Sequence, residues 1–233
     1  MIPLHVHSYY SFLTGTIPPE ILIKKAVEYN LHSFAITDTN AMNGIVPFVK
    51  EANQAKIKPI IGSVITDTEN EDEYAILLAK NNEGYKDLCK IITSRKLNDD
   101  FSLISIIKDH ITNLIIITPS ISVAEEINNE NEFYVELIAT KAEKKNNRNR
   151  YEFANSQKIK AIVTNPVYFL KRDDYELQKA VTAIRLNTNI DNLSDDLILD
   201  ENFTLKIRNR LIKSGHLCPK HLKQLNWFPR NVM

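Results

Sequence analysis

Short apolar runs alternate along this chain with longer segments in which apolar residues recur every three or four positions. The short runs that predict strands are IPLHVH, SFAITD, KPIIGSVIT, YAILLAK, LIIITPS, EFYVELIA and KAIVTN. The longer segments that predict helices are PPEILIKKAVEYN, GIVPFVKEANQA, EGYKDLCKIITS and RDDYELQKAVTAIRL. Because nearly continuous apolar strands are typical of parallel sheets covered by helices, the alternation predicts an α/β fold.

A closed α/β barrel fits this alternation better than an all-α or all-β fold, and a doubly wound open sheet is the structural alternative. The chain contains only five glycines and no glycine-rich phosphate loop. A Rossmann nucleotide site and a P-loop both need such a loop, so the sequence argues against them. With 233 residues, the chain suffices for one large domain or two small ones.

Charge is distributed unevenly along the chain. Over the whole sequence, 29 Lys and Arg balance 29 Asp and Glu, and 43% of residues are hydrophobic. Residues 206–233 contain seven Lys or Arg and no acid, so the other 22 basic residues stand against all 29 acids in residues 1–205. A body with this acidic excess is not expected to bind nucleic acid through bulk charge.

The sequence also predicts a cellular compartment. It contains no run of eighteen apolar residues and no signal-peptide pattern, so we expect a cytoplasmic protein. Its two cysteines, Cys89 and Cys218, are far apart in sequence and form no metal-type pair, which favours a reducing compartment.

Candidate chemistry is concentrated near the predicted strand ends, where α/β barrels carry their reactive groups. His5 and His7 are two positions apart on a predicted strand, so both side chains point to one side and could share a metal ion. Ordinary packed histidines are the alternative. Asp38 ends the second predicted strand. It could be a third metal ligand, or it could cap the next helix. The other histidines lie at the opposite end of the barrel or in the basic tail: His32, His110, His216 and His221.

Five segments carry a resemblance to a known family: LHVHSYYSFLTG, AITDTNAMNGIVPFVKEANQAKIKPIIGS, EGYKDLCKIIT, FYVELIA and IVTNPVYFLKRDDYELQKAVTAIRLNT. In order and spacing they resemble the PHP (polymerase and histidinol phosphatase) domain at the N-terminus of bacterial DNA polymerase III alpha subunits. The resemblance implies a distorted (β/α)7 barrel, similar to a TIM barrel, over residues 1–205. Some members of the family are metal-dependent phosphoesterases or 3′–5′ exonucleases, and in others the domain is structural.

Most positions where the family carries metal ligands hold other residues in this chain. His5 and His7 match the first motif. The replaced ligand positions are Thr14, Thr39, Val64, Thr140 or Lys141, Pro166 and Tyr168. The resemblance therefore implies a vestigial metal site at His5 and His7, with Asp38 as a doubtful third ligand and no catalytic residue. We expect no cofactor, or one divalent ion (Zn²⁺, Mn²⁺ or Mg²⁺) if the site still binds one.

The same resemblance gives an expected function. The chain would be the PHP portion of a replicative DNA polymerase III alpha subunit, with a structural role and no activity alone. Its partner would be the remainder of the alpha subunit or the proofreading subunit, DNA would be reached only through the parent polymerase, and no membrane would be involved. A stand-alone metal-dependent phosphoesterase or 3′–5′ exonuclease is the alternative.

Residues 206–233 form an atypical basic tail after the predicted domain. A disordered basic arm that binds nucleic acid is one interpretation. A shifted reading frame is another, because CPKHLKQLNWFPRNV, back-translated with permitted codon choices and read in a second frame, can give Pro-Glu-Ala-Phe-Lys-Thr-Ile-Glu-Leu-Val-Ser-Glu-Lys-Cys. This peptide is similar to the family's continuation, so the second interpretation predicts a truncated polymerase fragment.

Overall fold

A computed structural model of the chain describes residues 2–127, 132–194 and 197–205. The α-helices in these residues are α1 Pro19–Glu28, α2 Ile45–Gln54, α3 Asn82–Leu97, α4 Leu103–His110, α5 Ile121–Glu126, α6 Lys144–Gln157 and α7 Tyr175–Arg185. The strands are β1 Ser33–Thr39, β2 Lys58–Thr66, β3 Tyr74–Ala79, β4 Leu114–Thr118, β5 Phe133–Ile138 and β6 Lys160–Thr164. Short 3-10 helices span Ile111–Asn113, Arg172–Asp174 and Ile190–Asn192. The predicted basic tail, 206–233, lies outside the described residues.

The six strands form a single curled sheet in chain order. β1 and β2 pair in parallel, as do β4 with β5 and β5 with β6. β3 runs antiparallel to both of its neighbours, so the prediction of uniformly parallel strands is wrong at this position. Only residues 67–73 join β2 to β3. A connection this short allows a hairpin, whereas a parallel pair needs a crossover of a dozen or more residues.

Residues 3–7 close the sheet into a distorted barrel. On one side, the amide of Thr37 in β1 donates to the Val6 carbonyl at 2.8 Å. On the other side, the amide of His7 donates to the Val167 carbonyl at 2.8 Å, and the Val167 amide donates to the His5 carbonyl at 3.0 Å. The predicted first strand therefore lies between β1 and the chain that follows β6. The α/β, TIM-like barrel predicted from the sequence is confirmed.

The apolar residues of the strands alternate between the barrel interior and the layer beneath the helices, as the two-residue period of a strand requires. Ile76 and Leu78 of β3 pack in the interior with Leu4 of the closing segment. Leu77, between them in sequence, packs outward against Leu88 of α3. Within the described residues, no helix is both long enough and apolar enough to cross a lipid bilayer.

The segment KAEKKNNRNRYE, whose composition indicates a solvated helix face, forms much of α6, whereas α4 and α5 were missing from the sequence prediction. Helices α4 and α5 each begin after a serine whose side chain accepts a hydrogen bond from a backbone amide in the first turn: Ser102 from Ser105, and Ser120 from Val123. Serine favours helix N-termini for this reason. Helix α4 contains a short apolar run, and such a run by itself does not distinguish a helix from a strand.

Candidate functional site

His5 and His7 lie side by side on the closing segment, next to the carboxyl end of β1. Both side chains are buried, and their ring centroids are 5.1 Å apart. The i, i+2 spacing therefore places the two imidazoles together, as expected from a strand-like segment.

A buried carboxylate that the sequence analysis missed lies against His5. Glu136, on the inner face of β5, is fully buried and lies 2.8 Å from His5 Nδ1 through its Oε1. Tyr74 donates its hydroxyl hydrogen to the other oxygen at 2.9 Å, and Thr164 donates to Oε1. The signal that could have identified Glu136 is a single charge inside the apolar run FYVELI, because a buried carboxylate needs donors around it.

The antiparallel direction of β3 supplies one of these donors. Tyr74 is the first residue of β3 and pairs with Thr66, the last residue of β2, so it lies at the carboxyl edge of the neighbouring strands. Thr118, the last residue of β4, donates its hydroxyl hydrogen to the Tyr74 carbonyl at 2.6 Å. Burial and the charge of Glu136 raise the pKa of Tyr74 well above its ordinary value, so the phenol keeps the proton that it donates.

The surroundings of Glu136 keep it ionised. Burial by itself would raise the pKa of this carboxyl, but the charge of His5 and the hydrogen bonds from His5, Thr164 and Tyr74 outweigh it, so the pKa of Glu136 lies below its ordinary value. An ionised carboxylate only accepts hydrogen bonds, so His5 carries its hydrogen on Nδ1. When the ring is neutral, His5 Nε2 therefore has a free lone pair.

His7 is enclosed by hydroxyl groups and by an aromatic ring. Its Nδ1 lies 3.0 Å from Ser11 Oγ and 3.3 Å from Thr39 Oγ1. Its ring stacks on Tyr168, with centroids 4.0 Å apart and planes 11° from parallel. Burial, and next the charge of His5, lower the pKa of His7 well below its ordinary value, so this imidazole is neutral.

Asp38 binds the loop that follows the closing segment. Its carboxylate accepts hydrogen bonds from the Ser8 amide at 2.6 Å, the Ser8 hydroxyl at 2.7 Å and the Ser11 hydroxyl at 2.7 Å. Burial raises the pKa of Asp38, and these hydrogen bonds oppose the rise. Since Ser11 donates its hydrogen to Asp38, it accepts from His7, which places the hydrogen of His7 on Nδ1 as well.

Sequence comparison identifies the protein family of the chain. The family model described as the PHP domain matches residues 3–129, more than half of the chain. The chain belongs to the PHP domain family.

Curated relatives of this PHP domain are much longer proteins. The DNA polymerase III subunit alpha of Buchnera aphidicola subsp. Schizaphis graminum is 30% identical over 217 residues, which cover 78% of this chain and 18% of that protein. The protein of the same name from Staphylococcus aureus strain Mu50 is 27% identical over 230 residues, covering 96% of this chain and 20% of that one. The chain thus spans about a fifth of the length of these relatives.

Solved structures that resemble the chain are distant in sequence. A two-domain protein from Bacteroides vulgatus, described as containing a predicted PHP-like metal-dependent phosphoesterase, is 12% identical with a TM-score of 0.46, over 77% of this chain and 55% of that one. An amidohydrolase from Chromobacterium violaceum is 9% identical with a TM-score of 0.49, over 72% of this chain and 87% of that one. Membership of the PHP family therefore rests on the sequence match.

The donors around the two histidines do not fit a hydrolytic metal cluster. In the described part of the chain, no three His, Cys, Asp or Glu side chains come together in a group that could hold a metal ion. The Nε2 atoms of His5 and His7 are buried and have no hydrogen-bond partner there, and imidazole nitrogen is a ligand that Zn²⁺ accepts. A cluster of two or three ions needs further carboxylates, and those of Asp38 and Glu136 already accept three hydrogen bonds each.

The replaced ligand positions are filled by side chains that pack or bond locally. Thr39 and Tyr168 contact His7. Val64 is buried with the apolar residues of the barrel interior. Thr14 donates its hydroxyl hydrogen to the Ser11 carbonyl at 2.9 Å, and Thr140 is buried near the end of β5.

The remaining histidines lie away from this cluster or outside the described residues. His110 ends α4, on the amino side of β4, and its Nδ1 lies 3.1 Å from Asp87 Oδ1. His32 is exposed ahead of β1. The two histidines of the basic tail, His216 and His221, lie outside the described residues.

Proposed function

We propose that this chain is the PHP portion of a bacterial replicative DNA polymerase III alpha subunit. We further propose that its polar cluster, formed by His5, His7, Asp38 and Glu136, holds the barrel together instead of hydrolysing phosphate esters. The observation that carries the proposal is that both carboxylates in the cluster already accept three buried hydrogen bonds each. Glu136 accepts from His5, Tyr74 and Thr164, and Asp38 accepts from Ser8 and Ser11.

Hydrolysis of a phosphate ester by this family's chemistry would need a metal-activated water, with a general base or further metal ligands beside it. Both carboxylates already accept three buried hydrogen bonds each, and these bonds compete with either task. Removing buried partners is costly, because each donor left behind keeps its desolvation penalty. The cluster is therefore better suited to stability than to turnover.

The surroundings of His7 support the same conclusion. Tyr168 lies flat against one face of the imidazole, and the hydroxyl of Thr39 lies near its Nδ1. These two positions carry histidines in the family resemblance described above. In this chain they supply stacking and a hydroxyl group, neither of which binds Zn²⁺ or Mn²⁺ as well as an imidazole does.

A structural role has a specific form here, since the cluster connects segments that are distant in sequence. His5 belongs to the closing segment, whereas Glu136, Tyr74 and Thr164 belong to β5, β3 and β6. The hydrogen bonds to Glu136 thus connect the closing segment to β3, β5 and β6. A rigid barrel over residues 1–205 would serve as a support for the remainder of the alpha subunit or for the proofreading subunit.

The polymerase assignment is tested by nucleotide sequencing of the coding region, from the codons before Lys206 to well past the stop codon. The proposal, together with the shifted-frame interpretation of residues 206–233, predicts that a second frame continues into polymerase sequence. A verified stop codon, followed by nothing similar to a polymerase in any frame, would contradict the assignment to a longer alpha subunit.

The proposed lack of turnover is tested with the full chain, Mn²⁺ or Zn²⁺, and two substrates: bis-p-nitrophenyl phosphate and single-stranded DNA. We expect no hydrolysis above that of the double variant His5→Ala/His7→Ala. His32→Ala is the matched control, because His32 is exposed and lies outside the cluster. Turnover that His32→Ala keeps and the double variant loses would contradict the structural role.

A stand-alone metal-dependent phosphoesterase or 3′–5′ exonuclease is the second candidate function. The observation that favours it is the pair of buried Nε2 atoms of His5 and His7, which lack partners in the described residues. Both rings also hold their Nδ1 hydrogen toward an acceptor, which is the orientation of a metal-binding histidine. The hydrolysis assay above separates this candidate from the structural one.

A further inference from the structure

Helix α7 buries two polar side chains and exposes two large apolar ones. Gln178 and Thr182 are buried, and the Gln178 side-chain amide donates to the Thr182 hydroxyl at 2.8 Å. Leu177 and Ile184, seven positions apart, are 55% and 67% exposed. A surface helix of a globular protein has the opposite arrangement, with its apolar stripe toward the core.

The segment that follows α7 also exposes apolar side chains. Ile190 and Leu197, in the chain that follows, are also among the exposed large hydrophobic residues. Single exposed apolar residues need no explanation, but a group of them along one helix and its continuation is typical of a surface that another segment covers.

The charge around this surface indicates what would cover it. The stretch 173–201 contains eight Asp or Glu and only two Lys or Arg. Residues 206–233 contain seven Lys or Arg, no acid, and the apolar residues Leu217, Leu222, Trp227 and Phe228. The tail is therefore complementary to α7 and its continuation in charge, and it carries apolar side chains that could pack on Leu177 and Ile184.

The described chain ends beside the start of α7. Thr204 forms a parallel bridge with Phe169, and the Phe169 ring lies 5.8 Å from that of Tyr175, the first residue of α7. The 11 residues of α7 make a helix ~16 Å long. The 28 residues of the tail can extend to about 90 Å, so they reach every part of this helix.

We propose that residues 206–233 of this chain cover the outward face of α7, with apolar side chains on Leu177 and Ile184 and basic side chains near the acids of 173–201. The contact depends on the composition of the tail as it stands, whichever reading frame produced it, and it does not rest on the proposed function. In this arrangement the tail acts as an internal cover, which keeps the α7 face from binding another protein.

Limited trypsin digestion of the full chain tests the contact, because the seven Lys and Arg of the tail are all cleavage sites. The disrupting variant is Leu177→Lys/Ile184→Lys. The matched control is Val46→Lys/Leu97→Lys, which changes two side chains that are 76% and 81% exposed on α2 and α3. All four substitutions are at exposed positions, and thermal melting verifies that each variant is folded.

The proposal predicts that the tail of the natural chain and of the control is cut on the order of tenfold more slowly than the tail of the disrupting variant. This protection should be independent of protein concentration. Equal cleavage in all three proteins would overturn the proposal, and so would protection that the disrupting variant retains. Protection that disappears on dilution would also overturn it, since a second copy of the chain would then be the cover.

Discussion

The Nδ1 atom of His5 and the Oε1 atom of Glu136 lie 2.8 Å apart, although 131 residues separate them in sequence. Both side chains are buried, and the contact joins the closing segment of the barrel to β5, two strands away around the sheet. Because Glu136 also accepts from Tyr74 and Thr164, the contact is the centre of a network that draws on four separate segments of the barrel.

Replacing Glu136 tests how much this network contributes to the stability of the fold. Glu136→Ala leaves three buried donors without their acceptor, so we expect the free energy of unfolding to fall by ~3–5 kcal/mol, because each unsatisfied buried donor keeps a desolvation penalty. Urea denaturation measures the change. Glu125→Ala, at an exposed position of α5, should change the same quantity by less than about 0.5 kcal/mol. Similar losses in the two variants would contradict a structural role for Glu136.

Asp38→Asn should loosen the loop that follows the closing segment. The new amide group faces donors, so at least one of the Ser8 and Ser11 hydrogen bonds is lost, at a cost of about 1–3 kcal/mol. The substitution should accelerate amide hydrogen exchange in residues 8–11 more than in the strands. Exchange unchanged in this loop would show that Asp38 does not hold it.

Histidines at the replaced positions should increase metal affinity. Thr39 and Tyr168 already contact His7, so Thr39→His/Tyr168→His would surround it with additional imidazole ligands. Calorimetric titration with Zn²⁺ should show affinity at least about tenfold above that of the natural chain, because affinity rises with the number of well-placed ligands. The control is the triple variant His32→Ala/Thr39→His/Tyr168→His, which should show the same increase in Zn²⁺ affinity. No increase in affinity would mean that these positions do not face a metal site.

Acid sensitivity should be traceable to Asp87, far from the cluster. Burial raises the pKa of this carboxyl, but the hydrogen bond from Asn113 and the charges of His110 and Lys90 outweigh it and hold the pKa below 3.8. A carboxyl with a lowered pKa stabilises the fold above its ordinary pKa, and this contribution is lost as the pH falls through the lowered value.

The free energy of unfolding of the natural chain should therefore fall more steeply than that of Asp87→Asn as the pH drops from about 4 toward 2. Asp109→Asn, an exposed neighbour, should follow the natural chain. Urea midpoints over this pH range measure the three curves. Parallel curves for the natural chain and Asp87→Asn would refute the assignment.

Local periodicity was sufficient to predict an α/β fold and the proximity of His5 and His7, whereas the choice of a barrel over an open sheet came from the family resemblance. The sequence did not predict the direction of β3, which depends on the shortness of the 67–73 link and not on the strand's own residues. Glu136 was missed because its strand was interpreted only as an apolar run. The partners of Glu136 come from three other segments, and such long-range contacts leave no pattern in a single sequence.

Metal content is the measurement that tests the structural account of the cluster most directly. The full chain and His5→Ala/His7→Ala would be equilibrated with Zn²⁺ or Mn²⁺, dialysed against metal-free buffer and analysed by mass spectrometry of the elements. The account predicts far less than one bound ion per chain, with no difference between the two proteins. One or more ions retained per natural chain and lost from the double variant would contradict it.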